Sequence, residues 1–314
     1  MYYKIRKQST VRQAERPSKQ SSIGTLVRGN QNCSSRVARY FSGLMNEVDN
    51  YSTPVIFLEI YGNETGKLAG SATGFLLRAG ARILLVTNWH VVAGRHSWNH
   101  EELVFNGATP DHFKAYFRVA RRGEIVNEPV DVPIRLNDIP QWIEHKERKL
   151  PIVSHNSKFA IDVAIIDVTK LAPQGIVGEL SWNGLSHFHL YPVEHISIIG
   201  YPFGLFGRDI YPIWISGTVA NDQAGVKGQK YFLVDARSRP GNSGSLAIHR
   251  CSGASFRKPG GAGYPPGYTT HVIGVYSGRV FSKDSDIGIV WHWEVIDELI
   301  REIVPVQEQD WKTT

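Results

Sequence analysis

The sequence predicts an all-β fold, because from residue 53 onward it runs as short β-branched and aromatic stretches separated by Gly, Pro and Asn turn signals. Helical spacing is confined to the end, "WEVIDELIREIV" (293–304), and many strands with one terminal helix argue for barrels or sandwiches. At 314 residues the chain can bury one large core or two adjoining ones.

The elements follow in order. "TPVIFLEIYG" (53–62), "GSATGFLLRAG" (70–80) and "ARILLVTNWHVV" (81–92) read as three strands joined by short turns. From about 95 to 160 the pattern loosens. Strand-like "HFKAYFRVA" and "EPVDVPIRL" lead to a charged helical candidate, "QWIEHKERK" (141–149), as in an insertion. Strands resume with "FAIDVAIIDV" (159–168), "HISIIGYPFG" (195–204), "YPIWISGTVAN" (211–221), "KYFLVDA" (230–236), "GSLAIH" (244–249) and "THVIGVYSG" (270–278). The Gly and Pro of residues 251–268 mark an irregular loop between the last two. No repeat of 20 to 50 residues occurs.

Composition excludes several classes. No apolar run approaches the ~18 residues that a membrane helix needs, so no membrane association is expected. The net charge of +6 invites a nucleic-acid reading until it is divided along the chain. Residues 1–40 hold nine Lys and Arg against the single acid Glu15, which leaves −2 for the rest. Contact with nucleic acid is therefore expected only through this Ser/Gln/Arg-rich leader, whose composition is that of a disordered segment and which lacks the apolar core of a secretory signal. Cys33 and Cys251 do not make a disulfide framework, which fits a reducing, cytoplasmic compartment.

The chemistry-bearing residues are few. In "SRPGNSGSLAI" (238–248), Ser243 lies between glycines, and it reads either as a nucleophile or as a turn residue. A serine needs a base within hydrogen-bond reach and a third group to orient that base. His90 ends the apolar run "RILLVTNWH", at an expected strand-to-loop junction where it serves either as that base or as a polar strand end. Asp162 is an acid inside an apolar stretch, and Asp167, at an odd offset, falls on the opposite strand face. Asp162 is the better candidate to face a catalytic partner; the alternative is a carboxylate satisfied by backbone N–H groups. The glycines around Ser243 let the N–H groups of Gly241 and Ser243 point at one spot, an oxyanion hole built on the tripeptide Gly241, Asn242, Ser243.

Taken in order, "TNWHVVAG", "DVAIIDV" and "VDARSRPGNSGSLAI" resemble the His, Asp and Ser segments of the trypsin-like serine peptidases, most closely the HtrA and glutamyl-endopeptidase branch. "GSATGFLL", "IIGYPFG", "ISGTVA" and "HVIGVYSG" resemble further strands of that branch. The resemblance implies two six-stranded antiparallel β-barrels with the active site between them and a C-terminal helix. On that basis residues 1–45 are a leader, 46–304 the peptidase domain and 305–314 a tail. The N-terminal barrel would span about 50–168, the C-terminal barrel about 175–290, and the helix 293–304. The implied activity is that of a serine endopeptidase with His90 as base, Asp162 as its orienting acid and Ser243 as nucleophile, acting on protein or peptide substrates without a cofactor or metal. A regulatory protein partner is expected on plausibility. The alternative is a catalytically silent scaffold of the same fold that binds protein or nucleic acid through its leader.

Three departures from the family pattern matter. Asn242 replaces the Asp that receives a new N-terminal ammonium in pancreatic-type members, so activation by leader cleavage is not expected. Only residues 305–314 follow the terminal helix, so no PDZ module is expected. The interval from His90 to Asp162 is 72 residues, long for the family, so Asp162 rests on its local motif. The substrate pocket is expected to be walled by Arg237, Ser238, Arg239, Tyr276, Ser277 and Gly278. Arg237 stands six residues before Ser243, where trypsin-like members place a specificity carboxylate. A preference for Lys or Arg is thereby disfavoured, and an inward guanidinium would favour an acidic side chain. His187, His189 and His195 lack companion ligands at metal spacing and read as ordinary histidines. Trp291, His292 and Trp293 are expected to open the terminal helix and pack it on a barrel.

Overall fold

The computed structural model describes residues 48–62, 66–97, 103, 109–149, 160–182, 190–222, 229–252, 268–280 and 285–304. The basic leader, Cys33, His187, His189, most of the 251–268 loop and the tail lie outside the described residues.

The N-terminal half holds β1 (Val55–Gly62), β2 (Leu68–Ala79), β3 (Arg82–Thr87), the short helix α1 (Trp89–Ala93), β4 (Pro110–Arg121) and β5 (Glu124–Pro133). The short strands β6 (Arg135–Leu136), β7 (Ile139–Pro140), β8 (Ile143–Glu144), β9 (Ala164–Asp167) and β10 (Leu180–Ser181) follow. The C-terminal half holds β11 (His195–Gly200), β12 (Ile213–Val219), β13 (Tyr231–Ala236), β14 (Ser245–Ser252), β15 (Tyr268–Arg279), β16 (Ile287–His292) and the helix α2 (Trp293–Ile303).

The all-β class with one terminal helix holds, but the two halves differ in closure. The C-terminal strands close as β11-β12-β13-β16-β15-β14, a six-stranded barrel. Among the described residues the N-terminal strands instead form an eight-stranded sheet in the order β5-β4-β1-β2-β3-β9-β8, with β10 parallel to β2 at its side.

Period-2 alternation lets single strands serve two cores at once. In β1, Val55 and Phe57 face the seam between the halves, whereas Ile56, Leu58 and Ile60 face the interior of the N-terminal half. In β14, Leu246 and Ile248 meet the same seam, and Ala247 enters the barrel interior. The helix α2 adds Trp293, Ile296, Leu299 and Ile300 to the seam. Fully burying side chains of this size stabilises by about 1.5–3 kcal/mol each, so the seam is a hydrophobic core in its own right and holds the halves in fixed register.

Four sequence expectations change. The run 81–92 is not one strand: β3 ends at Thr87, Asn88 is extended, and residues 89–93 turn into α1, so His90 sits on a helix. Asp162 precedes β9 and is not inside it. The charged stretch 141–149 is not a regular α-helix; β8 pairs with β9, and residues 146–149 form one 3₁₀ turn. The run before the terminal helix contains a full strand, β16, so Trp291 belongs to the barrel and only Trp293 to the helix.

Candidate active site

The side chains of His90, Asp162 and Ser243 meet at the seam. His90 Nδ1 lies 2.6 Å from Asp162 Oδ2, and His90 Nε2 lies 2.9 Å from Ser243 Oγ. Asp162 is 2 % exposed and His90 18 %. Local structure explains how a helix and an irregular segment deliver this contact. The first N–H groups of any helix lack intrahelical partners. In α1 the N-cap Asn88 makes no side-chain cap, and the Asp162 carboxylate takes that place by accepting the His90 N–H at 2.8 Å on Oδ1. Asn88 Nδ2 in turn donates to the Asp162 carbonyl at 2.7 Å.

Burial opposes the negative charge on Asp162, yet the attraction of His90 and hydrogen bonds from His90 and Ser277 outweigh it and hold the carboxyl below its ordinary range. An ionised carboxylate only accepts, so His90 carries its proton on Nδ1 and turns the Nε2 lone pair toward Ser243. The Ser243 hydroxyl also lies 3.3 Å from the Ser277 carbonyl; the shorter contact is the one to the imidazole.

The loop ahead of Ser243 is pinned through its carbonyls. Phe203 N–H donates to the Pro240 carbonyl at 2.6 Å, and Ser245 N–H donates to the Asn242 carbonyl at 3.0 Å. In a trans peptide the N–H points opposite to the C=O, so the N–H groups of Gly241 and Ser243 turn the other way. Neither donates to a protein acceptor among the described residues. Gly241 holds φ at +96°, and a Cβ there would stand 2.3 Å from the Tyr201 carbonyl oxygen. The three-residue oxyanion hole needs one correction: the Asn242 N–H is bound to the Arg239 carbonyl at 3.1 Å and its side chain is buried, which leaves Gly241 and Ser243 as the available donors.

The expected pocket is only partly assembled. Ser277 and Gly278 line an open cavity of about 180 Å³ beside His90 and Ser243, together with Arg279, His96, Ile289 and Trp291, which sequence reasoning had not placed there. Arg237 is exposed, and Arg239 turns back to the Ser238 carbonyl at 2.8 Å and toward Asp286 at 3.6 Å, so neither guanidinium enters that cavity. Ser238 and Tyr276 are buried and hydrogen-bonded to each other through their hydroxyls, with the Tyr276 ring in the barrel core. Burial pushes the Tyr276 phenol up to about 12.

Other residues come into view only here. Ser277 Oγ donates to Asp162 Oδ2. Thr73 Oγ1 donates to the Gly241 carbonyl at 2.8 Å and accepts from Tyr201 N–H at 3.0 Å. His195 lies on β11, where its carbonyl faces His249 Nδ1 at 2.7 Å. Among the described residues no group of three or more His, Cys, Asp and Glu is placed to hold a metal ion. No described helix is long and apolar enough to cross a membrane.

The profile of one protein family, the trypsin-like peptidase domain, matches residues 72–254. The chain belongs to that family. The match begins at Ala72 in β2 and takes in the segments that carry His90, Asp162 and Ser243. Among solved structures, the peptidase domain is similar to the Rv3671c protease in an inactive form, at 15% identity and a TM-score of 0.42 over 81% of this chain and 90% of that one. It is similar also to a serine-to-alanine mutant of Rv3671c from M. tuberculosis H37Rv, at 16% identity and a TM-score of 0.41 over 82% and 89%. No curated protein matches it by sequence.

Proposed function

We propose that this peptidase domain is a serine endopeptidase that cleaves peptide bonds through an acyl-enzyme. The observation that carries this reading is the chain of contacts Asp162–His90–Ser243 at 2.6 and 2.9 Å, ending beside two N–H groups without protein acceptors among the described residues. Ser243 Oγ attacks the scissile carbonyl carbon while His90 Nε2 takes its proton. Asp162 keeps the imidazole in the required tautomer and stabilises the imidazolium. The N–H groups of Gly241 and Ser243 face the oxyanion, where one such donor contributes ~3–4 kcal/mol. Collapse expels the amine, which takes the proton from His90. Water then attacks the acyl carbon as His90 takes its proton, and His90 returns that proton to Ser243 Oγ as the acyl group leaves as the carboxylic acid. No step calls for a cofactor.

Labelling of the full chain with a fluorophosphonate probe tests the reading. The wild type becomes labelled at one serine, and Ser243→Ala does not. An unlabelled wild type overturns the proposal and leaves the alternative of a silent binding scaffold. Labelling that persists in Ser243→Ala refutes the assignment of the nucleophile.

A further inference from the structure

The stretch 141–149, with no part in the reaction as described, sends a buried arginine to the back of the candidate triad. Arg148 is 7 % exposed. Its guanidinium carbon stands 3.5 Å from the centre of the Trp89 ring, and its Nη1 donates to the carbonyl of Ile161. Trp89 directly precedes His90, and Ile161 directly precedes Asp162. One cation therefore touches the neighbours of both residues. Glu144 completes the arrangement, accepting from the Trp89 indole N–H at 2.5 Å and lying 3.9 Å from Arg148 Nε.

The segment that presents Arg148 is fixed independently. β8 pairs with β9 just after Asp162. The fully buried His145 meets Glu298 of α2 at 2.5 Å, and Lys230 bridges Glu298 at 2.6 Å and Glu147 at 3.0 Å. A buried guanidinium is costly to desolvate, so a surrounding that keeps one here points to a task that a neutral side chain would not perform. Burial lowers the pKa of the guanidinium from its ordinary value, and the attraction of Asp162 and Glu144 offsets that only in part.

We propose that Arg148 is a positioning residue for the reaction: wedged between Trp89 and the Ile161 carbonyl, it fixes the His90 helix against the Asp162 segment and keeps a positive charge behind the Asp162 carboxylate. The proposal rests on the triad reading above. It also gives the long interval between His90 and Asp162 a purpose, since the inserted residues carry the clamp. The stack on Trp89 and the bond to Ile161 act through geometry, whereas the charge acts through the field at the Asp162–His90 pair, so two substitutions separate them.

The test is the second-order rate of fluorophosphonate labelling between pH 5 and 9 for the wild type, Arg148→Met and Arg148→Lys. In Arg148→Met the rate falls by about tenfold to a hundredfold, as misplacement of reacting groups does, with probe saturation unchanged. The acid limb also moves to higher pH by about half a unit to one unit, because loss of the cation favours proton uptake by the Asp162–His90 pair. Arg148→Lys keeps the acid limb of the wild type and recovers part of the rate. Wild-type rate and profile in Arg148→Met overturn the proposal, as does an equal slowing of both variants with unmoved acid limbs, which marks a merely structural residue. Should thermal melting show that Arg148→Met does not fold, the lysine variant decides alone: an acid limb displaced there overturns it. An unlabelled wild type is a failure of the triad reading itself, and the proposal falls with it.

Discussion

The backbone N–H of Thr73, in β2 of the N-terminal sheet, donates to the carbonyl of Ser243 at 2.9 Å, across the seam between the two halves. The candidate nucleophile is thus held by the opposite half of the molecule, through a contact that forms only when the seam is packed. The Thr73 hydroxyl extends the same hold to Gly241 and Tyr201, and the Thr73 carbonyl accepts from Thr87 Oγ1 at 2.8 Å. The geometry of the candidate triad and the packing of the halves are therefore coupled through one buried residue.

Thr73→Val tests this coupling. The swap retains shape but orphans the Gly241 carbonyl and the Tyr201 N–H, each at a cost of about 1–3 kcal/mol when buried. Unfolding in urea should show destabilisation of about 2–6 kcal/mol for the two groups together, with fluorophosphonate labelling slowed by about tenfold or more as the oxyanion donors lose alignment. Full labelling in a destabilised variant would separate the hydroxyl from the site.

Ser277→Ala removes one of the hydrogen bonds that hold the Asp162 carboxyl low. A carboxyl depressed on folding adds stability above its unfolded value near pH 4, and that stability is lost as the pH falls through the folded value. The variant should lose about 1.5–3 kcal/mol near neutral pH, the contribution of a hydrogen bond to a charged group. Its acid unfolding should begin at a higher pH than that of the wild type. Thermal melting from pH 3 to 7 checks both the size and the displacement; a difference that is constant with pH would show that the bond does not act through the carboxylate.

A second carboxyl predicts a pH dependence away from the site. Burial opposes the charge of Glu298, but hydrogen bonds from Lys230 and His145 outweigh it and hold the group below its ordinary value near 4.5. By the same sign, its stabilising contribution is complete above about pH 5 and fades as the pH falls below 4.5. Glu298→Gln should lower the melting temperature at pH 7 more than at pH 3. Equal losses at the two pH values would show that the cluster acts by packing.

Residue types were legible in the sequence where the chemistry is local. The glycines beside Ser243 announce a tight turn, and an acid in an apolar run at Asp162 announces a partner. Direction and class were less legible where a distant contact decides. The apolar spacing of 81–92 suits a strand as well as a helical turn, and the choice is made by Asp162, which caps the turn from 72 residues away. Arg239 has the sequence position of a pocket wall, but Asp286 and its own neighbour's carbonyl draw it outward. The helical spacing of 141–149 gives way because β9 pairs with its first residues, and because His145 and Arg148 are drawn into tertiary contacts that no local pattern encodes. The family pattern located the triad candidates, but not Thr73 or Arg148, whose roles arise only when segments meet at the seam.

Gly241→Ala separates backbone strain from steric collision. Holding φ at +96° strains an alanine by about 1–2 kcal/mol. The larger effect is the collision: the new Cβ would stand 2.3 Å from the Tyr201 carbonyl oxygen and 3.1 Å from Phe203 N, both backbone atoms that cannot swing aside as a side chain would. Relief requires the loop to move, and the Phe203 N–H bond to the Pro240 carbonyl, which turns the Gly241 N–H outward, is the contact at risk. Labelling should fall by about a hundredfold or more, the usual loss for one oxyanion donor. Gly80→Ala is the control, since Gly80 has φ +60° but nothing within 4 Å of its Cβ position. That variant should show the backbone strain alone, as a small drop in melting temperature with labelling intact. If Gly241→Ala behaves like Gly80→Ala, the loop tolerates the methyl group and the N–H of Gly241 is not a donor on which the reaction depends.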